Sequence, residues 1–192
     1  MTVTPGVLGD VLERIRVADA RLVCVDGPAG SGKTTLAAQL GDALEAAVIH
    51  MDDLYEGWAA GPDGGAANLR RWVLDPLAAG ERVRYRRYDW VAGEWAEWHD
   101  VPPSPHLVVE GCGAGARQVD ALGAFRIWVE ADDAERLRRG LERDGEEARE
   151  HWLRWMADEA GHYARERTRE RADLRLDGFG ALTSAPSDSR PT

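Results

Sequence analysis

Short apolar runs and segments of helical period alternate along the chain. Five runs have the length and composition of buried strands, at residues 21–26, 46–51, 106–111, 125–130 and 172–177. Helical spacing occurs between them, at residues 33–45, 68–79, 132–143 and 146–171, and also at the apolar positions 7, 8, 11, 12 and 15 near the N-terminus. This alternation is typical of a parallel sheet covered on both faces, so the sequence predicts an α/β fold with a five-stranded parallel sheet.

Two irregular passages interrupt this pattern, "EGWAAGPDGGAAN" at residues 56–68 and "RYDWVAGEWAEWHDVPPSP" at residues 87–105. Both are rich in glycine or polar residues, and we expect them to be mobile loops over a site. Residues 181–192 are mostly small and polar and contain proline, so we expect a poorly ordered tail. The residues before this tail, 1–180, are predicted to form a single domain.

The composition limits the partners of the chain. Its 192 residues include 34 Asp and Glu against 24 Lys and Arg, a formal net charge of -10. This charge argues against nucleic acid and anionic membrane as partners. The N-terminus lacks the apolar block of a signal peptide, so we expect a cytoplasmic protein, with a homo-oligomer left open. Cys24 and Cys112 are too few for a disulfide framework and are expected to be buried and reduced.

The segment after the first predicted strand, "GPAGSGKT" at residues 27–34, fits the pattern G-x-x-x-x-G-K-[ST] and leads into a helix. In this context backbone N–H groups and a helix N-terminus bind phosphate. Lys33 is the only lysine of the chain and stands where a compact ammonium reaches the β- and γ-phosphates, while the Thr34 hydroxyl would ligate Mg²⁺. The predicted nucleotide-binding residues of this segment are Gly27, Ala29, Gly30, Ser31, Gly32, Lys33, Thr34 and Thr35.

Acidic residues stand at the ends of two other predicted strands. Asp52 and Asp53 come directly after the second strand, at the carboxyl edge of the sheet where open α/β folds bind ligands. A carboxylate there can accept the proton of an attacking hydroxyl, and the alternative is an acidic turn or helix cap. Glu110 ends a later strand and is suited to hold Mg²⁺ directly or through water.

Three arginines share one face of a predicted helix. Arg136, Arg139 and Arg143 occur at i, i+3 and i+7, while leucines occupy another face. We expect the leucines to pack on the domain and the arginines to face the phosphates of a nucleotide, because an acidic protein needs local cations for that charge. The alternative is an ordinary solvated face.

In this order, the stretches "GPAGSGKTT", "DDLY", "YDW", "VVEG" and "RLRRGLERD" resemble the uridine kinase branch of the P-loop kinases, a relative of pantothenate kinase and phosphoribulokinase, over residues 20 to 178. The resemblance implies a P-loop NTPase fold with an arginine-bearing lid at about residues 132–150, and ATP with Mg²⁺ as cofactors. It also implies that Asp52 is the catalytic base and lies with Tyr55 in the substrate-binding site, where Tyr88 and Trp90 flank the base of the acceptor. Glu110 would assist Thr34 in binding magnesium. The three arginines would belong to the lid, Arg136 as a nucleotide contact and Arg139 and Arg143 as catalytic groups.

One stretch departs from that family. Uridine kinases have, after the Tyr-Asp-Phe stretch, a Thr-His pair that touches the base, and this chain reads "VAGEWAEWH" there. Trp90, Trp95 and Trp98 are therefore interpreted in two ways, as a stacking pocket for the acceptor or as the packing face of a β-hairpin. Trp58 is a further candidate acceptor contact, whereas Trp152, like Trp155, has the helical spacing of a core residue.

The expected function is the ATP-dependent transfer of a phosphoryl group to a hydroxyl of a small molecule. A nucleoside such as uridine or cytidine is the first candidate acceptor. A second candidate is a different small alcohol, such as a sugar, a vitamin precursor or an antibiotic. A third interpretation, from another class, is a nucleotide-binding switch, but a switch has no need of a hydroxyl-activating aspartate beside aromatic residues.

Overall fold

A computed structural model describes residues 2–183 of the chain. Five parallel strands form the central sheet in the order β2-β5-β1-β6-β7, and two further strands, β3 and β4, form an antiparallel pair. The strands are β1 (Leu22–Asp26), β2 (Ala47–His50), β3 (Arg84–Asp89), β4 (Glu94–Asp100), β5 (Leu107–Glu110), β6 (Phe125–Glu130) and β7 (Leu174–Asp177). The predicted α/β fold is confirmed, because each of the five predicted strands is present in this parallel sheet.

Helices cover both faces of the sheet. They are α1 (Pro5–Val17), α2 (Lys33–Leu44), α3 (Gly61–Leu69), α4 (Asp75–Ala79), α5 (Asp133–Asp144), α6 (Arg149–Glu166) and α7 (Thr168–Arg171). Strand β1 is buried along its whole length and alternates between two apolar clusters. Val23 and Val25 belong to the cluster that includes α1 and α2, and Cys24 belongs to the cluster that includes α3 and Trp155 of α6. This alternation is the period of two that a strand imposes on its side chains.

The first passage expected to be a mobile loop, residues 56–68, is mostly helical, so that expectation was wrong. After a single turn at Trp58–Ala60, α3 begins at Gly61. Pro62 and Asp63 occupy its first turn, where a fixed φ and a negative charge favour a helix start. Gly65 lies against the ring of Tyr55, where a Cβ atom would collide with it. Gly65 therefore serves close packing within a helix rather than a loop.

The second passage, residues 87–105, forms most of the β3–β4 hairpin, which was the alternative interpretation. Its turn is closed by the Asp89 carboxylate, which accepts hydrogen bonds from the N–H groups of Val91 and Ala92 at 3.0 Å each. Trp95 and Trp98 contact the ring of Trp72, with centroids 5.0 and 5.7 Å apart. These two tryptophans therefore pack the hairpin against the π-helical segment that joins α3 to α4, Arg70–Leu74.

The C-terminal part differs from its prediction in two places. The long helix predicted over residues 146–171 ends at Glu166, because Arg167 adopts a left-handed conformation with φ of 54°. Of the tail expected to be poorly ordered, residues 181–183 run back along β7, where Leu182 pairs with Leu176. Residues 184–192 lie outside the described residues. Within residues 2–183, no helix has the length and apolarity to cross a bilayer.

Candidate functional site

The segment between β1 and α2, residues 27–34, curls around the N-terminus of α2. Gly30 and Gly32 have φ of 79° and 103°, which side chains rarely adopt. A Cβ atom at Gly30 would also lie 2.7 Å from the carbonyl oxygen of Arg136. Lys33 is the first residue of α2, so the loop lies at the positive end of the helix dipole. This conformation is that of a phosphate-binding loop, or P-loop.

Lys33 is buried within this loop. Its Nζ donates a hydrogen bond to the Pro28 carbonyl at 2.9 Å and lies 3.9 Å from the Cys112 Sγ. Burial acts to lower the pKa of Lys33, yet the pKa is raised, because acidic groups including Glu110 surround it. The ammonium therefore keeps its charge. The buried Ser31 hydroxyl has no hydrogen-bond partner within residues 2–183, which fits a loop that binds a phosphate.

A cavity of about 640 Å³ opens beside the P-loop. Its lining combines two groups of residues. The first, which we call the phosphate end, consists of P-loop residues, Glu110 and two arginines, and the second, the aromatic end, consists of Asp52 with Tyr55, Trp58, Trp90, Trp152 and Trp155. The two groups adjoin, since the Arg143 guanidinium lies 5.7 Å from the centre of the Trp152 ring. A phosphate donor and an acceptor molecule can therefore lie next to each other in this cavity.

Thr34 and Glu110 meet at the phosphate end. The Thr34 hydroxyl donates to Glu110 Oε1 at 3.1 Å, and His50 Nδ1 lies 2.7 Å from the same oxygen. This hydrogen bond to Glu110 raises the pKa of His50. A hydroxyl and a carboxylate side by side fit Mg²⁺, which takes few protein ligands and completes its octahedron with phosphate oxygens and water. No group of three His, Cys, Asp or Glu side chains that could hold a metal occurs within residues 2–183.

Asp52 lies in a short turn, Met51–Asp53, directly after β2. Its side chain is open to the cavity but is crowded by protein on its other sides. This crowding raises the pKa of the Asp52 carboxyl, and the negative charge of Glu110 raises it further. Its neighbour Asp53 points elsewhere, because its Oδ2 accepts a hydrogen bond from the Tyr85 hydroxyl at 3.3 Å. Of the predicted acidic pair, only Asp52 lines the cavity.

Aromatic rings in mutual contact form the other end of the cavity. The Trp58 ring contacts Trp90 edge-on at 5.5 Å and Trp155 at 5.9 Å. The Trp90 indole N–H donates to the Asp52 carbonyl at 2.9 Å, and the Tyr55 hydroxyl donates to the Cys112 carbonyl at 2.6 Å. The structure thus brings three predicted contacts, at positions 55, 58 and 90, to the same end of the cavity.

Three aromatic residues differ from their predictions in different ways. Trp152 and Trp155 are buried, as expected for core residues, but they also line the cavity. Their helical spacing could not distinguish a ring that faces a cavity from one that faces the core. Tyr88, predicted to contact the acceptor, does not line the cavity and packs behind it against Trp90 and Trp95, with centroids 5.6 and 5.3 Å away.

The three arginines of α5 separate into two groups. Arg139 and Arg143 line the cavity, and Arg139 Nη1 donates to the Gly30 carbonyl at 3.2 Å. Arg136 does not line it, in contrast to the prediction that all three face the nucleotide. Its guanidinium is buried and pairs with Glu159 at 2.5 Å. The helix packs through Arg136 and through Gly140, which lies against the Trp152 ring, while its leucines are only half-buried.

A P-loop after the central strand of a five-stranded parallel sheet defines the class of the protein: it is a P-loop nucleotide-binding domain with a kinase-like fold. Residues 23–171 match the AAA domain family, and the chain belongs to that family. No curated protein matches the chain.

Two solved structures illustrate the fold. A possible uridine kinase from Bacillus stearothermophilus is similar with a TM-score of 0.65 and 20% identity, over 90% of this chain and 98% of the other. The YGR205w protein is similar with a TM-score of 0.54 and 13% identity, over 93% of this chain and 96% of the other. These similarities confirm the predicted P-loop NTPase fold and agree with the resemblance to the uridine kinase branch.

Proposed function

We propose that the protein is an ATP-dependent kinase that transfers the γ-phosphoryl group to a hydroxyl of a small-molecule acceptor, with Mg²⁺ bound by Thr34 and Glu110. One observation carries this proposal: the same cavity is lined by the P-loop with Lys33 at one end and by Asp52 among aromatic rings at the other. A nucleotide switch needs only the first of these ends. The second end supplies a base and a binding surface for an acceptor.

Several charged residues of the cavity take part in the proposed reaction. Asp52 accepts the proton of the acceptor hydroxyl while the hydroxyl oxygen bonds to the γ-phosphorus, and the bond from that phosphorus to the β–γ bridging oxygen breaks to release ADP. Lys33 and the P-loop N–H groups stabilise the charge on the phosphates, and Mg²⁺ held by Thr34 and Glu110 would neutralise part of that charge. Arg139 and Arg143 face the same space.

The protonation of Asp52 gives this reaction a pH dependence. The carboxyl must be ionised to act as a base, and desolvation by the protein around the carboxyl raises its pKa. We therefore expect kcat/KM for the acceptor to decrease as the pH is lowered, and to begin to decrease at a higher pH than it would with an aspartate of ordinary pKa. A pH profile measured at saturating Mg·ATP tests this expectation, and a flat profile down to pH 4 would contradict the role of Asp52.

The aromatic end supports an acceptor with a flat or apolar body. Nucleosides such as uridine and cytidine remain the first candidates, because a base can pack against the rings of Trp58 and Trp155. A different small alcohol is the second candidate, and one observation favours it. The indole N–H groups of Trp90 and Trp152 already donate to Asp52 and Asp144, so they are not free to read the edge of a base.

The release of ADP from Mg·ATP, measured with a panel of nucleosides, sugars, pantothenate and aminoglycoside-type alcohols, tests this proposal. We expect at least one acceptor to raise the rate far above the rate without acceptor. Stimulation by uridine or cytidine alone would support a nucleoside kinase, and stimulation by another alcohol alone would support the second candidate. Nucleotide binding without any stimulated turnover would favour a switch and contradict the proposal.

A further inference from the structure

One residue of the P-loop, Ala29, is held on both sides by a single buried ion pair. Its N–H donates to Glu159 Oε2 at 2.8 Å, and its carbonyl accepts a hydrogen bond from Arg136 Nη1 at 3.0 Å. The two partners pair with each other at 2.5 Å between Arg136 Nη1 and Glu159 Oε1. Both are buried, with 4% and 1% of their surfaces exposed. The ion pair and Ala29 thus form a closed triangle of hydrogen bonds, which we call the Ala29 clasp.

The clasp connects the P-loop to two helices that are distant in sequence. Arg136 lies on α5 and Glu159 lies on α6. One turn after Glu159, the Tyr163 hydroxyl donates to the Gly27 carbonyl at 2.7 Å, so α6 holds the loop at a second point. One turn after Arg136, Arg139 donates to the Gly30 carbonyl. The first half of the loop is therefore fixed from outside.

This fixation matters because the loop has little stiffness of its own. Gly30 and Gly32 adopt left-handed conformations, and glycine gives the chain more freedom than any other residue. A phosphate is bound well only if the N–H groups that face it are already oriented, since ordering them during binding costs affinity. The Ala29 N–H itself is engaged by Glu159, so the carboxylate orients the loop without occupying the N–H groups of the later loop residues.

We propose that Glu159, together with Arg136, is a positioning residue for nucleotide binding: the Ala29 clasp keeps the P-loop in its phosphate-binding conformation. This inference depends on the proposed function only in taking residues 27–34 as the nucleotide site. The competing explanation is that the ion pair merely joins α5 to α6 and contributes stability. The two explanations predict different nucleotide affinities for a variant in which apolar side chains replace both members of the pair.

The test measures the affinity for Mg·ADP by calorimetry and the melting temperature of four proteins. They are the wild type, Glu159→Gln, the double variant Arg136→Met with Glu159→Met, and Glu166→Gln. The last is a matched control, because Glu166 also lies on α6 and accepts a backbone hydrogen bond, from the Arg117 N–H at 2.7 Å, away from the P-loop. Mg·ADP binding needs no acceptor, so the result is independent of whether the phosphorylation of any acceptor is observed.

We expect Glu159→Gln and the double variant to bind Mg·ADP about tenfold more weakly than the wild type, since hydrogen bonds to charged groups are lost. The control should bind like the wild type. The double variant should still fold, because apolar replacement of a whole buried pair is often neutral or stabilising, although it leaves the Ala29 N–H and carbonyl without these partners. A stable double variant with wild-type affinity would overturn the proposal, as would wild-type affinity in Glu159→Gln. If Glu159→Gln failed to fold, the double variant would decide.

Discussion

The two ends of the cavity are built by different means. At the phosphate end, charged and backbone groups are fixed by hydrogen bonds that are at least partly buried, as between Glu159 and the Ala29 N–H or between Thr34 and Glu110. At the aromatic end, contacts between rings such as Trp58 and Trp155 act together with hydrogen bonds from indole and phenol groups. Hydrogen bonds depend steeply on distance and angle, whereas ring contacts tolerate several arrangements.

This difference suggests how the two ends could change over evolution. The phosphate end serves a ligand that is common to all P-loop proteins, so its geometry is constrained. The aromatic end can accommodate another acceptor by exchanging a ring, without disturbing the P-loop. Substitutions at the phosphate end should therefore reduce turnover with every acceptor, and substitutions of the rings at the aromatic end should reduce the affinity for one acceptor.

Among substitutions at the phosphate end, the replacement of Lys33 should reduce turnover the most. Lys33→Ala should lower kcat by about 10²–10³-fold, since it removes a charge aimed at the developing phosphate charge. Lys33→Arg should lower it nearly as much, because the buried pocket between Pro28 and Cys112 fits an ammonium rather than a planar fork. Steady-state rates with Mg·ATP check both variants, with melting curves as the control for folding. Full activity in Lys33→Arg would refute this explanation of the sole lysine.

A smaller effect is expected for the arginines that face the cavity. Arg139→Ala should reduce kcat by about 10–10²-fold, more than it weakens Mg·ADP binding, because it removes a charged donor from the transferring group. Arg138→Ala is the matched control: Arg138 is exposed, lies outside the cavity lining and pairs with the same Glu135 as Arg139 does. Equal rates in the two variants would contradict a catalytic role of Arg139 and would support the alternative of an ordinary solvated helix face.

The smallest effect should appear at the aromatic end. Trp58→Ala should raise KM for the acceptor by about fivefold to tenfold and leave KM for ATP unchanged, because it removes one ring contact. Trp98→Ala is the control, since Trp98 packs on Trp72 in the hairpin and does not line the cavity. An increase in KM for ATP in Trp58→Ala would contradict the separation of the two ends.

The parts predicted well from the sequence are those specified by contiguous residues. The P-loop needs only a strand, a short motif and a helix, and all three are adjacent in the chain. Asp52 and Glu110 lie just after or at the end of parallel strands that are neighbours in the sheet, and strand ends of a parallel sheet meet at one edge. Their meeting at one cavity was therefore expected from the strand pattern.

The rest depends on contacts between distant elements. Arg136 has the same spacing as Arg139 and Arg143, and only the buried Glu159 on α6 separates its role from theirs. Trp152 and Trp155 have the helical spacing of core residues, and that spacing is the same whether a ring faces the core or a cavity. In residues 56–68, glycine composition indicated a loop, but packing against Tyr55 requires a glycine within a helix.

The most direct test of the account compares two neighbouring aspartates. Asp52 faces the cavity, whereas Asp53 binds the Tyr85 hydroxyl, so Asp53→Asn is the matched control for Asp52→Asn. With the acceptor identified by the panel, Asp52→Asn should lower kcat by about 10²–10⁴-fold and change Mg·ADP affinity only a few-fold, while Asp53→Asn stays near the wild type. Turnover by Asp52→Asn equal to that of Asp53→Asn would contradict the assignment of Asp52 as the base.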